Sequence, residues 1–169
     1  MSRVLGLVAS SCGGLDARFR TEIAEPAAER GWRLAITLTP TAARWLDAAG
    51  EIAKLQDLTD LEVRSTSRLP TQPRPHPDPT VFLFAPATAN SVAKLALGIA
   101  DNQALTVLGD ALGDPAVTIV VGYSVRDPRA GHPAWRGHLD ALHSAGVRTE
   151  RLDGAWRLVL NALPGSTRP

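Results

Sequence analysis

Three short segments of this chain bring together residue types that can hold an anion and a flat ring. Ser10-Ser11-Cys12-Gly13-Gly14 offers two hydroxyls, a thiol and unhindered backbone amides just before an amphipathic stretch. Amides at a helix N-terminus lie at the positive end of the helix dipole, so phosphate is favoured there. Leu38-Thr39-Pro40-Thr41 repeats the arrangement, with Thr39 as an N-cap and Pro40 at the first helical position. Capping alone accounts for this second segment. The third is Ala85-Pro86-Ala87-Thr88-Ala89-Asn90, where an apolar run ends in small and polar residues. Small side chains let a planar ligand approach the backbone, and the Asn90 amide can both donate and accept. Gly- and Ser-rich turns also occur in α/β proteins for steric reasons alone. Placement gives the three their weight. Each follows an apolar run and precedes a helical pattern, so in a parallel sheet all share one edge and could meet one phosphorylated, planar ligand.

The elements that would position these turns alternate along the chain. Residues 4–9, 32–38, 81–85 and 117–121 read as apolar strands, 61–64 as a short one, and 147–152 and 156–160 as those that finish the sheet. Helical spacing covers 16–30, with Phe19, Ile23 and Ala27 on one face, Pro26 as a point of kink or restart, and Gly31 as the stop. It returns at 39–49, with Ala42, Ala43 and Leu46 inward and Gly50 beyond, and again at 88–97, 102–108 and 134–145. The central strand, 81–85, is expected to break at Pro86. The alternation implies an α/β fold: a three-layer αβα sandwich with a mostly parallel, Rossmann- or flavodoxin-like sheet. Residues 68–79 carry Pro70, Pro73, Pro75, Pro77 and Pro79 and read as an extended surface loop. Residues 164–169 read as a disordered tail, leaving a single domain over 1–163.

Composition narrows the function. A chain of 169 residues can bury a real core, and a net charge of +1 gives no electrostatic case for nucleic acid or a membrane surface. No apolar run is long enough to span a bilayer. The single cysteine, Cys12, excludes an internal disulfide framework and points to the cytoplasm. His132, His138 and His143 do not make a metal set, because His138 and His143 are five apart and fall on different helix faces. Trp32, Trp45, Trp135 and Trp156 read as core or interface anchors.

The stretch from Ala85 through Asn90-Ser91-Val92-Ala93-Lys94-Leu95-Ala96, followed by Gly98-Ile99-Ala100-Asp101-Asn102, resembles the flavin-binding signature of the homo-oligomeric flavin-containing cysteine decarboxylases. That family includes phosphopantothenoylcysteine decarboxylase and the decarboxylases of lanthipeptide biosynthesis. Thr37 to Leu46 resembles the family's second turn and helix more loosely. The resemblance implies FMN. By it Ser10, Ser11 and Cys12 hold the phosphate with help from Thr39, and Thr88, Ala89 and Asn90 face the ring system. Asp101 and Asn102 match a segment that meets the flavin near a subunit boundary, which implies a homotrimer or a dodecamer of trimers. The implied reaction is oxidative decarboxylation of a C-terminal cysteine in a peptide or small thiol. The cysteine side chain is oxidised to a thioaldehyde, and loss of carbon dioxide leaves an enethiol.

Two departures from the family pattern bear on the chemistry. A histidine upstream of the central strand serves the family as base; here that region offers only His76, inside the proline-rich loop and closer to the strand. The family also carries a Pro-x-Met-Asn-x-x-Met-Trp substrate clamp after the next strand, where this chain reads Tyr123-Ser124-Val125-Arg126-Asp127-Pro128. Ser124 and Arg126 are therefore the substrate-side candidates, with Arg126 at the clamp asparagine. A guanidinium favours carboxylate or phosphate, unless Asp127 occupies it as a surface ion pair. Two other readings stay open. One is an FMN-binding regulatory or assembly subunit without decarboxylase activity. The other is a flavin prenyltransferase-like enzyme, a related fold that Arg126-Asp127-Pro128 weakly resembles.

Overall fold

Alternate residues along each strand point to opposite faces, and here both faces are apolar, so helices must cover both. The computed structural model describes residues 3–165. Among them β1 (Arg3–Ala9), β2 (Trp32–Leu38), β3 (Val81–Thr88), β4 (Thr118–Ser124) and β5 (Arg148–Arg151) form one sheet in the order β2-β1-β3-β4-β5. Every strand pairing is parallel. Leu5, Leu7, Leu34, Ile36 and Leu83 bury one face against α1 (Leu15–Arg18), α2 (Glu25–Glu29), α3 (Pro40–Ala48) and α4 (Glu51–Gln56). Val8, Phe82, Phe84, Ile119 and Val121 bury the other against α5 (Ala89–Ala96), α6 (Gln103–Leu112) and α8 (Trp135–Ser144). A one-turn helix, α7 (Asp127–Ala130), follows β4. The three-layer sandwich expected from the sequence is the fold observed.

Most elements fall where the apolar spacing places them, and the differences have local causes. The helical stretch after β1 is interrupted by a π-helical segment, Phe19–Ala24, just before Pro26. Proline cannot donate to the carbonyl one turn back, and the wider turn accommodates this. Phe19, Ile23 and Ala27 are fully buried as expected. β3 does not break at Pro86. It continues to Thr88, with a register shift against β4 between Phe84 and Ala87 where the missing N–H interrupts the ladder. Residues 61–64 form no strand, only a bridge between Arg64 and Thr37. The Gln56 side chain takes the polar groups a ladder would need: its amide donates to the Thr59 and Leu61 carbonyls and accepts the Val63 N–H.

Trp156–Ala162 is a 3-10 helix rather than the last strand. Its buried residues, Trp156, Val159, Leu160 and then Leu163, are spaced three and four apart, which suits a helix lying on the sheet. Gly122 makes this close approach possible, since a Cβ there would come within 3.0 Å of Ala85, Leu152 and Val159 side-chain atoms. β5 therefore remains the edge, and its largely charged sequence suits an exposed edge. The expected disordered tail lies outside the described residues over 166–169. Within them, the Pro164 carbonyl accepts a hydrogen bond from Arg3 at 3.4 Å.

Candidate functional site

The turns after β1, β2 and β3 are tied to one another by hydrogen bonds. Thr39 N–H donates to the Ala9 carbonyl at 3.0 Å, and Ser10 N–H donates to the Pro86 carbonyl at 2.9 Å. The buried Ser10 hydroxyl donates to that same carbonyl at 3.1 Å and accepts the Thr88 N–H at 2.8 Å. Thr88 is in register with Ser124 at the end of β4. The Ser124 hydroxyl in turn reaches the Cys12 thiol. The structure thus gathers Ser10, Cys12, Thr39, Thr88 and Ser124 at one edge of the sheet, as the parallel topology requires.

Within this cluster some groups are occupied and others are open. The Thr39 oxygen accepts the Ala42 N–H at 3.3 Å and caps α3; the Thr88 oxygen accepts the Ser91 N–H at 3.3 Å and caps α5. Ser91, buried and bonded to Thr88 at 3.2 Å, belongs to the cluster although its sequence gives no sign beyond its position one turn into the helix. By contrast, the N–H groups of Ser11, Cys12 and Gly13 have no acceptor among the described residues. A Cβ built on Gly13 would meet nothing within 4 Å, so the turn faces open space. Ala89 is half-buried and Asn90 is exposed, its amide unengaged by any described residue. Hydroxyls and unpaired amides beside small side chains and an exposed carboxamide form a donor set suited to a phosphate and the polar edge of a ring.

Burial pushes the Cys12 thiol above its ordinary value, while the Ser124 hydroxyl and the Arg18 cation oppose the shift. The thiol therefore stays protonated at neutral pH. Arg18 lies 4.4 Å over the Trp156 ring and bonds both Glu22 oxygens, at 2.7 and 3.1 Å. Glu22 also accepts the Trp156 N–H at 2.7 Å. The spacing of Arg18 and Glu22 announces their pair; nothing in the sequence announces Trp156, more than a hundred residues away, as its partner.

The remaining candidates make no hydrogen bond to the three turns among the described residues. Asn102 caps α6, accepting the Leu105 N–H at 3.1 Å, and donates to Asp101 at 3.2 Å. Asp101 is paired with Lys94, and that hydrogen bond holds its carboxyl below the usual range. The joint between α5 and α6 is thereby fixed, with Leu97 and Ile99 exposed beside it. His76 bonds the Glu62 carbonyl at 2.6 Å. A carbonyl only accepts, so Nε2 carries the proton and Nδ1 is left as the acceptor. Burial lowers the His76 pKa, as does Arg64 to a smaller degree. His76 lines a cavity of about 450 Å³ over the β1–β2 face, together with Gly6, Phe82, Arg64, Arg68 and Asp110; none of the three turns lines it. Arg126 is exposed, and the ion pair weighed from the sequence does not form: Asp127 pairs with Arg151 at 2.8 Å. Among the described residues no cluster of His, Cys, Asp and Glu is arranged to hold a metal, and no helix is long and apolar enough to cross a membrane.

No protein-family model and no curated protein sequence matches the chain. Solved structures do. The FMN-dependent cysteine decarboxylase TvaF from thioviridamide biosynthesis matches with a TM-score of 0.75 at 22% identity, covering 96% of this chain and 96% of its own. Peptidyl-cysteine decarboxylase EpiD gives 0.68 at 18%, over 90% and 88%. HAL3 from Cryptococcus neoformans gives 0.67 at 14%, over 96% and 95%. At these identities the likeness establishes the fold, end to end.

Proposed function

We propose that this chain binds FMN at the edge where the β1, β2 and β3 turns meet, and that it catalyses oxidative decarboxylation of a C-terminal cysteine or related thiol. The observation that carries the reading is the set of unpaired Ser11, Cys12 and Gly13 amides, opening onto free space at the sheet edge that also holds Thr88, Ala89 and Asn90. This donor set fits a flavin mononucleotide. The resemblance of residues 85–102 to the flavin-binding signature and the fold shared with TvaF and EpiD support the same family.

In this reading the Ser11–Gly13 amides and the Ser11 and Thr39 hydroxyls take the phosphate. Thr88, Ala89 and Asn90 take the ring edge. Ser10 serves by holding Thr88 against β1, since its hydroxyl is already used twice. FMN would supply the two-electron oxidant for the cysteine side chain. Ser124, beside Cys12, lies where substrate would approach, and Arg126 follows two residues later. His76 is the candidate base, and its lowered pKa keeps Nδ1 in the accepting form at neutral pH.

The position of His76 favours a second reading. It lines the cavity over β1–β2 rather than the turn cluster, which is what an FMN-binding regulatory or assembly subunit without this chemistry would tolerate. Incubation of the FMN-loaded chain with peptides ending in cysteine, followed by mass spectrometry, decides between the two. Loss of carbon dioxide and two hydrogens is expected; a stable peptide beside a bound flavin selects the second reading. Persistence of that loss in His76→Ala would remove His76 as base. We further propose a homotrimer or a dodecamer of trimers, supported by the exposed Leu97 and Ile99 beside the fixed Asp101–Asn102 joint. A single domain over 1–163 and a cytoplasmic setting complete the proposal, the latter supported by Cys12 being a free thiol and not part of a disulfide.

A further inference from the structure

Beyond the end of β4 the chain presents two guanidiniums from a fixed frame. Tyr123 packs edge-on against Trp135, with ring centroids 5.4 Å apart, and its carbonyl accepts the Leu152 N–H at 2.8 Å. Arg151 reaches from β5 to the Val125 carbonyl at 3.3 Å and to Asp127 at 2.8 Å, and it also pairs with Asp153 at 3.1 Å. Residues 123–127 are therefore held from both sides. Arg126 and Arg129, three apart across α7, have exposed side chains with no hydrogen bond or ion pair among the described residues. Arg151 takes both the Asp127 and the Asp153 carboxylates, which leaves Arg126 and Arg129 without an acidic partner among the described residues. An anion is what this surface lacks.

The reacting carboxylate is the wrong anion to supply. It loses its charge as carbon dioxide departs, so a guanidinium bonded to it would stabilise the bound substrate more than the transition state and slow the step. A group elsewhere in the substrate carries no such cost. Arg126 lies two residues beyond Ser124, at most about 7 Å of chain, which keeps its guanidinium within reach of a substrate seated at Ser124.

Resting on the function proposed above, we infer that the substrate is a cysteine-terminated peptide carrying a second anionic group, a side-chain carboxylate upstream of the cysteine, and that Arg126 with Arg129 recognises it. The test uses the full chain saturated with FMN and a series of red-dye-labelled hexapeptides ending in cysteine. Each places one Glu at one of the four positions nearest the cysteine and is compared with its Gln counterpart. Anisotropy reads binding and mass spectrometry reads the loss of carbon dioxide and two hydrogens. At one position the Glu peptide is expected to bind about tenfold more tightly, as a charge-assisted hydrogen bond implies. In Arg126→Gln combined with Arg129→Gln that preference shrinks to less than about twofold. Equal binding of every Glu and Gln pair by the wild-type chain overturns the inference, as does a preference that survives the double substitution. If the double variant does not fold, the wild-type contrast decides alone. A Glu preference without the mass change leaves the recognition standing and removes the reaction; the mass change without a preference does the reverse.

Discussion

Ser10 and Ser11 are neighbours in sequence with opposite tasks, and substituting each by alanine separates the tasks. The Ser10 hydroxyl is buried, donates to the Pro86 carbonyl at 3.1 Å and accepts the Thr88 N–H at 2.8 Å. In Ser10→Ala the Pro86 carbonyl keeps a partner, because the Ser10 backbone N–H still donates to it at 2.9 Å. The Thr88 N–H does not, so one part-buried donor is orphaned. That costs about 1–3 kcal/mol. With a urea dependence of about 2 kcal/mol per molar for a domain of this size, the unfolding midpoint should fall by roughly 0.5–1.5 M. Ser11→Ala removes a half-buried hydroxyl without a described partner, so its stability should stay within about 0.5 kcal/mol of wild type while FMN affinity drops by about tenfold. Urea unfolding by circular dichroism and FMN titration by fluorescence quenching read the two effects. If Ser10→Ala is as stable as wild type, or if Ser11→Ala loses stability instead of affinity, the division of labour is wrong.

Gly6→Ala should destabilise the chain by about 1–3 kcal/mol, because the new Cβ would sit 2.3 Å from the Phe82 ring. Adding Phe82→Ala should recover part of that loss in a double-mutant cycle by urea unfolding. Cys12, whose thiol burial keeps protonated, should react more slowly with iodoacetamide at pH 8 than free cysteine, and bound FMN should slow it further; unchanged labelling with FMN would detach Cys12 from the site. The folded chain disfavours protonation of His76 relative to the unfolded chain, so the unfolded state binds more protons as pH falls below the ordinary imidazole value of about 6.5. The His76 contribution is thus complete above that pH and lost as pH falls through the folded pKa. A thermal-melt series in His76→Gln should show a shallower acid-side decline than wild type.

The turns were legible because their chemistry is local. Thr39 before Pro40 is an N-cap by residue type alone and caps α3 in the structure; Thr88, at the head of the helical spacing, turns out to cap α5 in the same way. What escaped the sequence depends on partners remote in the chain or on periods too short to recognise. The helix α4 has only six residues and directs the buried Glu51 at Arg20 and Lys54, each at 2.7 Å, an arrangement that no single segment reveals. Residues 61–64 carry a strand-like apolar pattern, but Gln56, five residues upstream, takes the hydrogen bonds a ladder would need, and the pattern by itself does not show that. At 156–160, expected as a strand, the helical signal is visible only when the window extends to Leu163: Trp156, Val159, Leu160 and Leu163 keep helical spacing. The meeting of Cys12 with Ser124 follows only once the strand order is known.

A phosphate seat at Ser11–Gly13 should tell FMN from riboflavin, and comparing the two in one titration of the full chain probes it most directly. The two ligands share a ring system and differ in the phosphate. Quenching of flavin fluorescence should show saturable uptake of FMN at one per chain, with riboflavin bound at least tenfold more weakly, about 1.4 kcal/mol. Equal affinity for the two, or no uptake of either, would contradict it.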